Sequence, residues 1–173
     1  MKEGQDRSPA QYYFYDMTTS ISSCEPGSVE LVSGSKRITA FLDAICTLEA
    51  ATFGVPWKRI DFVNDLESAD SCCMALLSGG ILVGYLFAKA VLDEICLNKI
   101  CVAASWQGRG FGKTLLAGFI DSVKKSSARV FLEVDSTNTP AVRLYSGFGF
   151  RTVRIRNAIY ESGADGLEMV LEL

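Results

Sequence analysis

The run Gln107-Gly108-Arg109-Gly110-Phe111-Gly112-Lys113-Thr114 concentrates three glycines and two cations in eight residues. Glycines let backbone N–H groups approach an anion closely, and at the start of a helix those groups carry positive potential. Arg109 and Lys113 add charge for phosphate oxygens, so the chemistry on offer is the grip of a phosphate or diphosphate. Further on, Glu133 is the only charged residue in Val130-Phe131-Leu132-Glu133-Val134. A carboxylate buried in such a strand is costly unless paired or put to use. Burial also raises a carboxyl's proton affinity toward the range of a general base. Tyr145 falls on a helix after Asn138, where its periodicity fits a core aromatic and its phenol could serve as a proton donor.

These residues must be held by a framework, and apolar spacing supplies one. Val29 to Val32 reads as a strand. Lys36 to Thr52 reads as a helix with Ile38, Phe41, Leu42, Ile45 and Leu48 on one face, broken by Gly54 and Pro56. Trp57 to Leu66 is a second helix. Cys72 to Leu77 and Ile81 to Leu92 form a hairpin around Ser78-Gly79-Gly80, and Ile95 to Val102 follows as a third strand. The glycine-rich loop opens a helix over about 112–126. Val130 to Val134 is a buried strand, Pro140 enters another helix at its first turn, and Gly147 and Gly149 close it. Phe150 to Ile159 and Leu167 to Leu173 are the last strands. The order predicts one α/β domain over 29–173 with a mixed, mostly antiparallel sheet flanked by helices. Residues 1–28, polar apart from Tyr12-Tyr13-Phe14-Tyr15, are expected to be a mobile or docking extension.

Three phosphate-loop patterns compete for 107–114. The dinucleotide fingerprint G-x-G-x-x-G lacks a residue here, and so does the triphosphate loop G-x-x-x-x-G-K-[ST]. Position also disfavours both. The loop follows an apparent antiparallel meander, and about 60 residues after it are too few for a doubly wound sheet. The pattern Q-x-x-G-x-G fits as it stands, on Gln107, Gly110 and Gly112. It resembles the pyrophosphate loop of the GCN5-related N-acetyltransferase (GNAT) superfamily, whose strand order matches the order above. Leu132-Glu133-Val134, Asn138, Ala141 and Leu144-Tyr145 resemble L-E-V-x-x-x-N-x-x-A-x-x-L-Y. With Gly149-Phe150, Arg156, Tyr160, Asp165, Met169, Pro56-Trp57 and Val91-Leu92-Asp93-Glu94, they are similar to the ribosomal-protein alanine N-acetyltransferases of the RimI type. The chain departs from that pattern at Val102-Ala103-Ala104-Ser105, where a proline-containing turn is usual, and at Ile159-Tyr160, where paired tyrosines are usual.

The resemblance implies a GNAT fold whose strands splay at an acetyl-coenzyme A site. It implies that Gly108, Arg109, Gly110, Phe111, Gly112 and Lys113 cradle the diphosphate and that Asn138 lies beside the coenzyme. Ile100, Cys101 and Val102 would offer backbone groups to the pantetheine arm and the thioester carbonyl, the second in the manner of an oxyanion donor. Glu133 is implied as the base, directly or through water, and Tyr145 as the acid that protonates the departing thiolate. An α-amine has a pKa of ~7.7–8.0, so a modest base suffices. Pro56, Trp57, Arg156 and Tyr160 would form the acceptor wall. The implied acceptor is a protein N-terminus, best matched by the alanine of a small-subunit ribosomal protein.

Composition narrows the alternatives. The chain has 173 residues, 49% hydrophobic and 21% charged, with 17 Lys plus Arg against 20 Asp plus Glu. That balance argues against a general nucleic-acid binder. His is absent, which removes Ser-His-Asp and Cys-His nucleophiles and His-containing zinc sites. The six cysteines include no C-x-x-C pair, so no metal site is expected and the thiols read as small buried hydrophobes. Cys72 and Cys73 should face opposite ways, as should Cys96 and Cys101. An acyl-cysteine at Cys101 is disfavoured, with no His or other base beside it. The first residues lack an apolar signal segment, and Ile81 to Ala88 is far short of the ~20 residues that span a bilayer; a cytoplasmic protein is expected. Other readings that stay open are a GNAT enzyme for a small amine or lysine side chain, a nucleotide switch using the near-triphosphate loop, and a degenerate fold that binds coenzyme without turnover.

Overall fold

A computed structural model describes residues 28–125 and 129–173. The Tyr12–Tyr15 aromatic group, Cys24 and the expected helix end at Ser126 lie outside the described residues. The elements run β1 (Val29–Ser33), α1 (Ser35–Ile38), a 3-10 turn (Thr39–Phe41), α2 (Leu42–Thr52), α3 (Arg59–Glu67), β2 (Ser71–Ser78), β3 (Ile81–Val91) and β4 (Glu94–Val102). A second 3-10 turn (Ala104–Trp106) leads to α4 (Phe111–Val123), β5 (Arg129–Asp135), α5 (Thr139–Gly147), β6 (Arg151–Arg156) and β7 (Gly166–Glu172). The strands form one sheet in the order β1-β2-β3-β4-β5-β7-β6. Its neighbours are antiparallel except β4 and β5, which are parallel. The mixed, mostly antiparallel sheet expected from the apolar spacing is therefore observed.

Two cores sit on opposite faces. On one, α4 and α5 bury Leu115, Leu116, Phe119, Val123 and Tyr145 against Leu76, Leu86, Leu97, Leu132 and Val134. On the other, α1, α2 and α3 bury Ile38, Leu42, Ile45, Phe62 and Leu66 against Ala75, Tyr85, Phe87 and Cys101. Cys72 belongs to the first core and Cys73 to the second, as period-2 alternation requires.

The structure corrects four expectations. The helix expected over 36–52 is interrupted by the 3-10 turn at Thr39–Phe41, after which Leu42, Ile45 and Glu49 form the buried stripe of α2. The next helix starts at Arg59 rather than Trp57. Glu49 Oε1 takes the Trp57 N–H at 2.7 Å and Asp61 Oδ2 takes the Lys58 N–H at 2.7 Å, which keeps Lys58 extended as the N-cap. β6 stops at Arg156, short of Ile159, where the chain turns through Ala158 at φ 49; the Ala158 N–H donates to Asp165 Oδ1 at 2.9 Å. Finally, the register of β3 on β4 slips, with Phe87 opposite Lys99 and Ala88 opposite Leu97, leaving Asn98 as the extra residue. This bulge puts Cys96 and Cys101 on the same face, because it adds one step to the alternation.

Candidate active site

The bulge sits where the sheet divides. β4 and β5 pair from Glu94↔Arg129 to Leu97↔Leu132 and no further. Beyond that point β4 continues along β3 to Val102, while β5 continues along β7 to Asp135. The two facing backbone edges are thus unpaired with each other, which is the splay expected of a carrier slot. Ile100 and Val102 pack into the core on the α4 side. Lys99, Cys101 and, on β5, Glu133 alternate to the α2 side. Gly84 lets β3 press against this stretch, since a Cβ there would lie 2.7 Å from the Cys101 carbonyl oxygen.

At the end of β4 the loop is made largely of backbone. Gln107 Nε2 donates to the Val102 carbonyl at 2.9 Å and ties the loop to the strand. Gly108 (φ 74) and Gly110 (φ 88) adopt left-handed conformations that a side chain would strain. Gly110 is the N-cap of α4, whose first turn carries no acidic residue. The first N–H groups of a helix lack intrahelical acceptors. Lys113 stands exposed in that turn, and the Arg109 guanidinium lies 5.1 Å from the Trp106 ring, itself 5.4 Å from Phe111. Cations at a helix N-terminus oppose the macrodipole at a cost of ~0.3–1 kcal/mol each. A bound diphosphate reverses that sign, so the donor set fits the diphosphate of a coenzyme.

Glu133 is not buried as expected. Its side chain is 32% exposed because the strand that would cover it has diverged, and Arg156 Nη1 pairs with its Oε2 at 2.7 Å. In register it stands opposite Glu168, and Arg154 and Arg156 each reach Glu168 at 3.8 Å. Two adjacent carboxylates of like charge are thereby balanced by two guanidinium groups. At such exposure the Glu133–Arg156 pair is worth ~0–1 kcal/mol of stability, so its effect is to orient the carboxylate. Gly166 makes room for it, since a Cβ there would sit 3.3 Å from Glu133 Cδ and 2.4 Å from Ile159 Cδ1.

Tyr145 lies in the α4-side core, 5.8 Å from the Phe150 ring. Burial, and secondarily the charge of Tyr160, pushes its phenol up to about 12, so it holds its proton at any ordinary pH. Tyr160 is raised mainly by burial and then by Glu133 and Asp135, with Arg156 opposing. Tyr160 is therefore an electrostatic neighbour of Tyr145 as well as of Glu133 and Arg156, with Glu133 on the α2 side of the sheet and Tyr145 in the α4-side core. Asn138 caps α5, its Oδ1 accepting from the Ala141 N–H at 3.3 Å. Pro56 and Trp57 lie on the α2 side, where Trp57 packs on Phe62 and Phe87 at 5.3 and 6.4 Å. They are built into the α2–α3 connection, apart from the Glu133–Arg156 pair.

Sequence reasoning missed a polar cluster beside Trp57. Glu49 is fully buried. Its Oε1 accepts from Lys99 Nζ at 2.8 Å and from the Trp57 N–H, and its Oε2 accepts from the Tyr85 hydroxyl. The Lys99 ammonium lies 4.0 Å from the Phe53 ring centroid and 5.4 Å from that of Trp57. Cys101 Sγ donates to Thr52 Oγ1 at 3.5 Å, and burial raises its thiol pKa. A signal was present: Glu49 continues the stripe Leu42–Ile45 at the spacing of a core residue.

The family model described as the acetyltransferase (GNAT) family matches residues 42–150. The chain belongs to the GNAT family of acetyltransferases, and the protein is an N-acetyltransferase. It is 30% identical over 131 residues to the [ribosomal protein bS18]-alanine N-acetyltransferase of Escherichia coli K12, covering 75% of this chain and 87% of that protein. It is 34% identical over 119 residues to the N-alpha-acetyltransferase RimI of Mycobacterium tuberculosis, covering 66% and 74%. Among solved structures, the ribosomal-protein-S18-alanine N-acetyltransferase of E. coli superposes with a TM-score of 0.77 at 28% identity, over 84% of this chain and 94% of that one. Arabidopsis thaliana NAA60 in complex with acetyl-CoA shares the fold, with a TM-score of 0.76 at 19% identity over 84% and 100%. A GNAT domain across the glycine-rich loop displaces the triphosphate-switch reading. Among the described residues no helix is long and apolar enough to cross a membrane.

Proposed function

We propose that the protein acetylates the N-terminal alanine of a small-subunit ribosomal protein of the bS18 type, in the cytoplasm, with acetyl-coenzyme A as donor. The unit responsible is a single catalytic domain over 29–173. The observation that carries this reading is the β4–β5 split, with Glu133 on one face and Tyr145 on the other. The names of the relatives above favour this acceptor.

Acetyl-coenzyme A supplies an acetyl group on a thioester when bound. Gly108, Arg109, Gly110, Phe111, Gly112 and Lys113 hold its diphosphate, and Asn138 flanks it from the start of α5. The unpaired backbone of Ile100, Cys101 and Val102 aligns the pantetheine arm and polarises the carbonyl. Glu133, oriented by Arg156, accepts the proton that the attacking amine sheds. The new amide C–N bond would form as the C–S bond breaks, and the sulfur would leave as a thiolate that accepts a hydrogen bond from the Tyr145 hydroxyl and takes its proton from solvent. A phenol held near 12 gives up its proton reluctantly, so its contribution is a hydrogen bond that strengthens as charge collects on the sulfur. Pro56 and Trp57 on one side, and Arg156 and Tyr160 on the other, wall the acceptor.

The test is to incubate the protein with acetyl-coenzyme A and three acceptor sets, reading products by mass spectrometry. The sets are peptides starting with alanine from bS18, peptides with a blocked N-terminus and a free lysine, and small amines. Acetylation of the alanine peptide at its α-amine is expected. Preference for lysine or a small amine would replace the acceptor assignment, and coenzyme binding without any turnover would overturn the enzymatic reading.

A further inference from the structure

Buried ion pairs rarely add stability over apolar residues of the same volume. The Glu49–Lys99 pair therefore needs another account. Glu49 has no exposure and Lys99 only 14% at its side chain. Both carboxylate oxygens are occupied by Lys99, the Trp57 N–H and the Tyr85 hydroxyl, so the carboxylate joins α2, the α2–α3 connection, β3 and the outer half of β4 at one point. The bulge at Asn98 puts Lys99 on this face. Its ammonium meets the rings of Phe53 and Trp57, whose faces attract a cation. The cluster is on the side of the sheet that carries Glu133, where β4 and β5 separate.

We propose that Lys99, held by Glu49, is a positioning residue for acceptor binding: it fixes the Trp57 ring and the Phe53–Lys58 connection against β4, so that one wall of the acceptor channel is preformed. This rests on the acceptor site proposed above. Without the ammonium, Trp57 keeps its apolar neighbours but loses the charge that sets its tilt, and Glu49 loses one of the donors that anchor the connection. The diphosphate loop, Gly108 to Lys113 at the start of α4, is built from other residues and is left intact.

The experiment compares Lys99→Met, Lys99→Arg and Glu49→Gln with the native chain. Steady-state kinetics use the alanine-starting peptide, and Trp57 emission is followed under acrylamide quenching in a Trp106→Phe background. Lys99→Met is expected to raise the acceptor KM about tenfold and leave the KM for acetyl-coenzyme A within about twofold. Quenching of Trp57 should rise at least about twofold, and Lys99→Arg should stay within about threefold of the native acceptor KM because it keeps the charge. Glu49→Gln, which keeps the volume, should follow Lys99→Met. An unchanged acceptor KM, a parallel rise in both KM values, or an Arg variant as impaired as Met would overturn the proposal. If the native protein acetylated no peptide, the proposed function would fall separately. Quenching would then decide whether Lys99 holds Trp57, with no change in Lys99→Met counting against it.

Discussion

On the α4 side of the split, the groups that suit a diphosphate are backbone amides from one short run, Gly108 to Lys113, at the N-terminus of a single helix. On the α2 side, the polar groups are side chains from distant elements in two groups: Glu49 from α2 with Tyr85 from β3 and Lys99 from β4, and Glu133 from β5 with Arg156 from β6. On the proposed function, the difference follows from what each half would recognise. A diphosphate is the same in every turnover and is met by amides that need only glycine at fixed spacing. An amine must be oriented and deprotonated, which takes charged side chains at defined positions.

The largest effect expected from breaking this division is at Glu133. Glu133→Gln keeps shape and removes the proton acceptor, so kcat should fall by about 10²–10³-fold. The Kd of acetyl-coenzyme A, read by calorimetry, should not move, because the diphosphate groups lie elsewhere. An unchanged kcat would remove Glu133 from the mechanism, and a matching loss of coenzyme affinity would show that the two halves are not separable. Tyr145→Phe tests the partner across the split, with an expected loss in kcat of about 10²-fold. The native enzyme should show no alkaline loss of rate from this group until pH nears about 12, where Tyr145 ionises. A limb near the ordinary tyrosine range that vanishes in the Phe variant would mean that the phenol is more exposed in the working enzyme.

The same contrast explains what could be read from the chain before folding. The geometry of the glycine-rich loop was legible because its glycines and cations are consecutive, and the elements around it were legible because their apolar periods are local. The splay was legible only through family resemblance. The exposure of Glu133 could not be read from local pattern, and the burial of Glu49 only from its place on the Leu42–Ile45 stripe. Glu133 stands in an apolar strand, which predicts burial, but the strand beside it diverges after Leu97. Glu49 is a charged residue in a helix, which predicts exposure, but its partners Tyr85 and Lys99 lie 36 and 50 residues away. The bulge at Asn98 reverses the facing of everything after it, and no residue type in β4 announces it. Gly166 matters because Ile159 and Glu133 crowd the space a Cβ would take, a fact of packing alone.

A milder perturbation isolates the backbone half. Gly110→Ala meets no atom within 4 Å, so its cost is the left-handed φ of 88 alone. That strain is about 1–2 kcal/mol, which at ~1.4 kcal/mol per decade weakens acetyl-coenzyme A binding by roughly tenfold if the loop relaxes to relieve it. The value of kcat at saturating coenzyme should be retained. A loss of kcat with unchanged coenzyme affinity would assign the loop to chemistry rather than to grip.

The smallest effect expected is on alkaline stability, and it too distinguishes the two faces. On the α4 side, burial pushes the Cys72 thiol up to about 11, with the Ser122 contact opposing, and Tyr145 up to about 12. On the α2 side, burial drives Cys73 and Tyr85 further in the same direction. In each case the unfolded chain releases its proton first, while the native protein still binds it. Unfolding therefore releases protons at high pH, and the stability these groups contribute is full below their ordinary values and lost as pH rises through their native ones. Between pH 8 and 10 the urea midpoint, measured under reducing conditions, should fall by an amount equivalent to about 1 kcal/mol for each of the two thiols. Cys72→Ala should flatten part of that slope, since alanine has nothing to titrate. A midpoint that held steady or rose over this range would mean that these thiols ionise as readily in the native protein as in the unfolded chain, and that the α4-side core around Cys72 admits water.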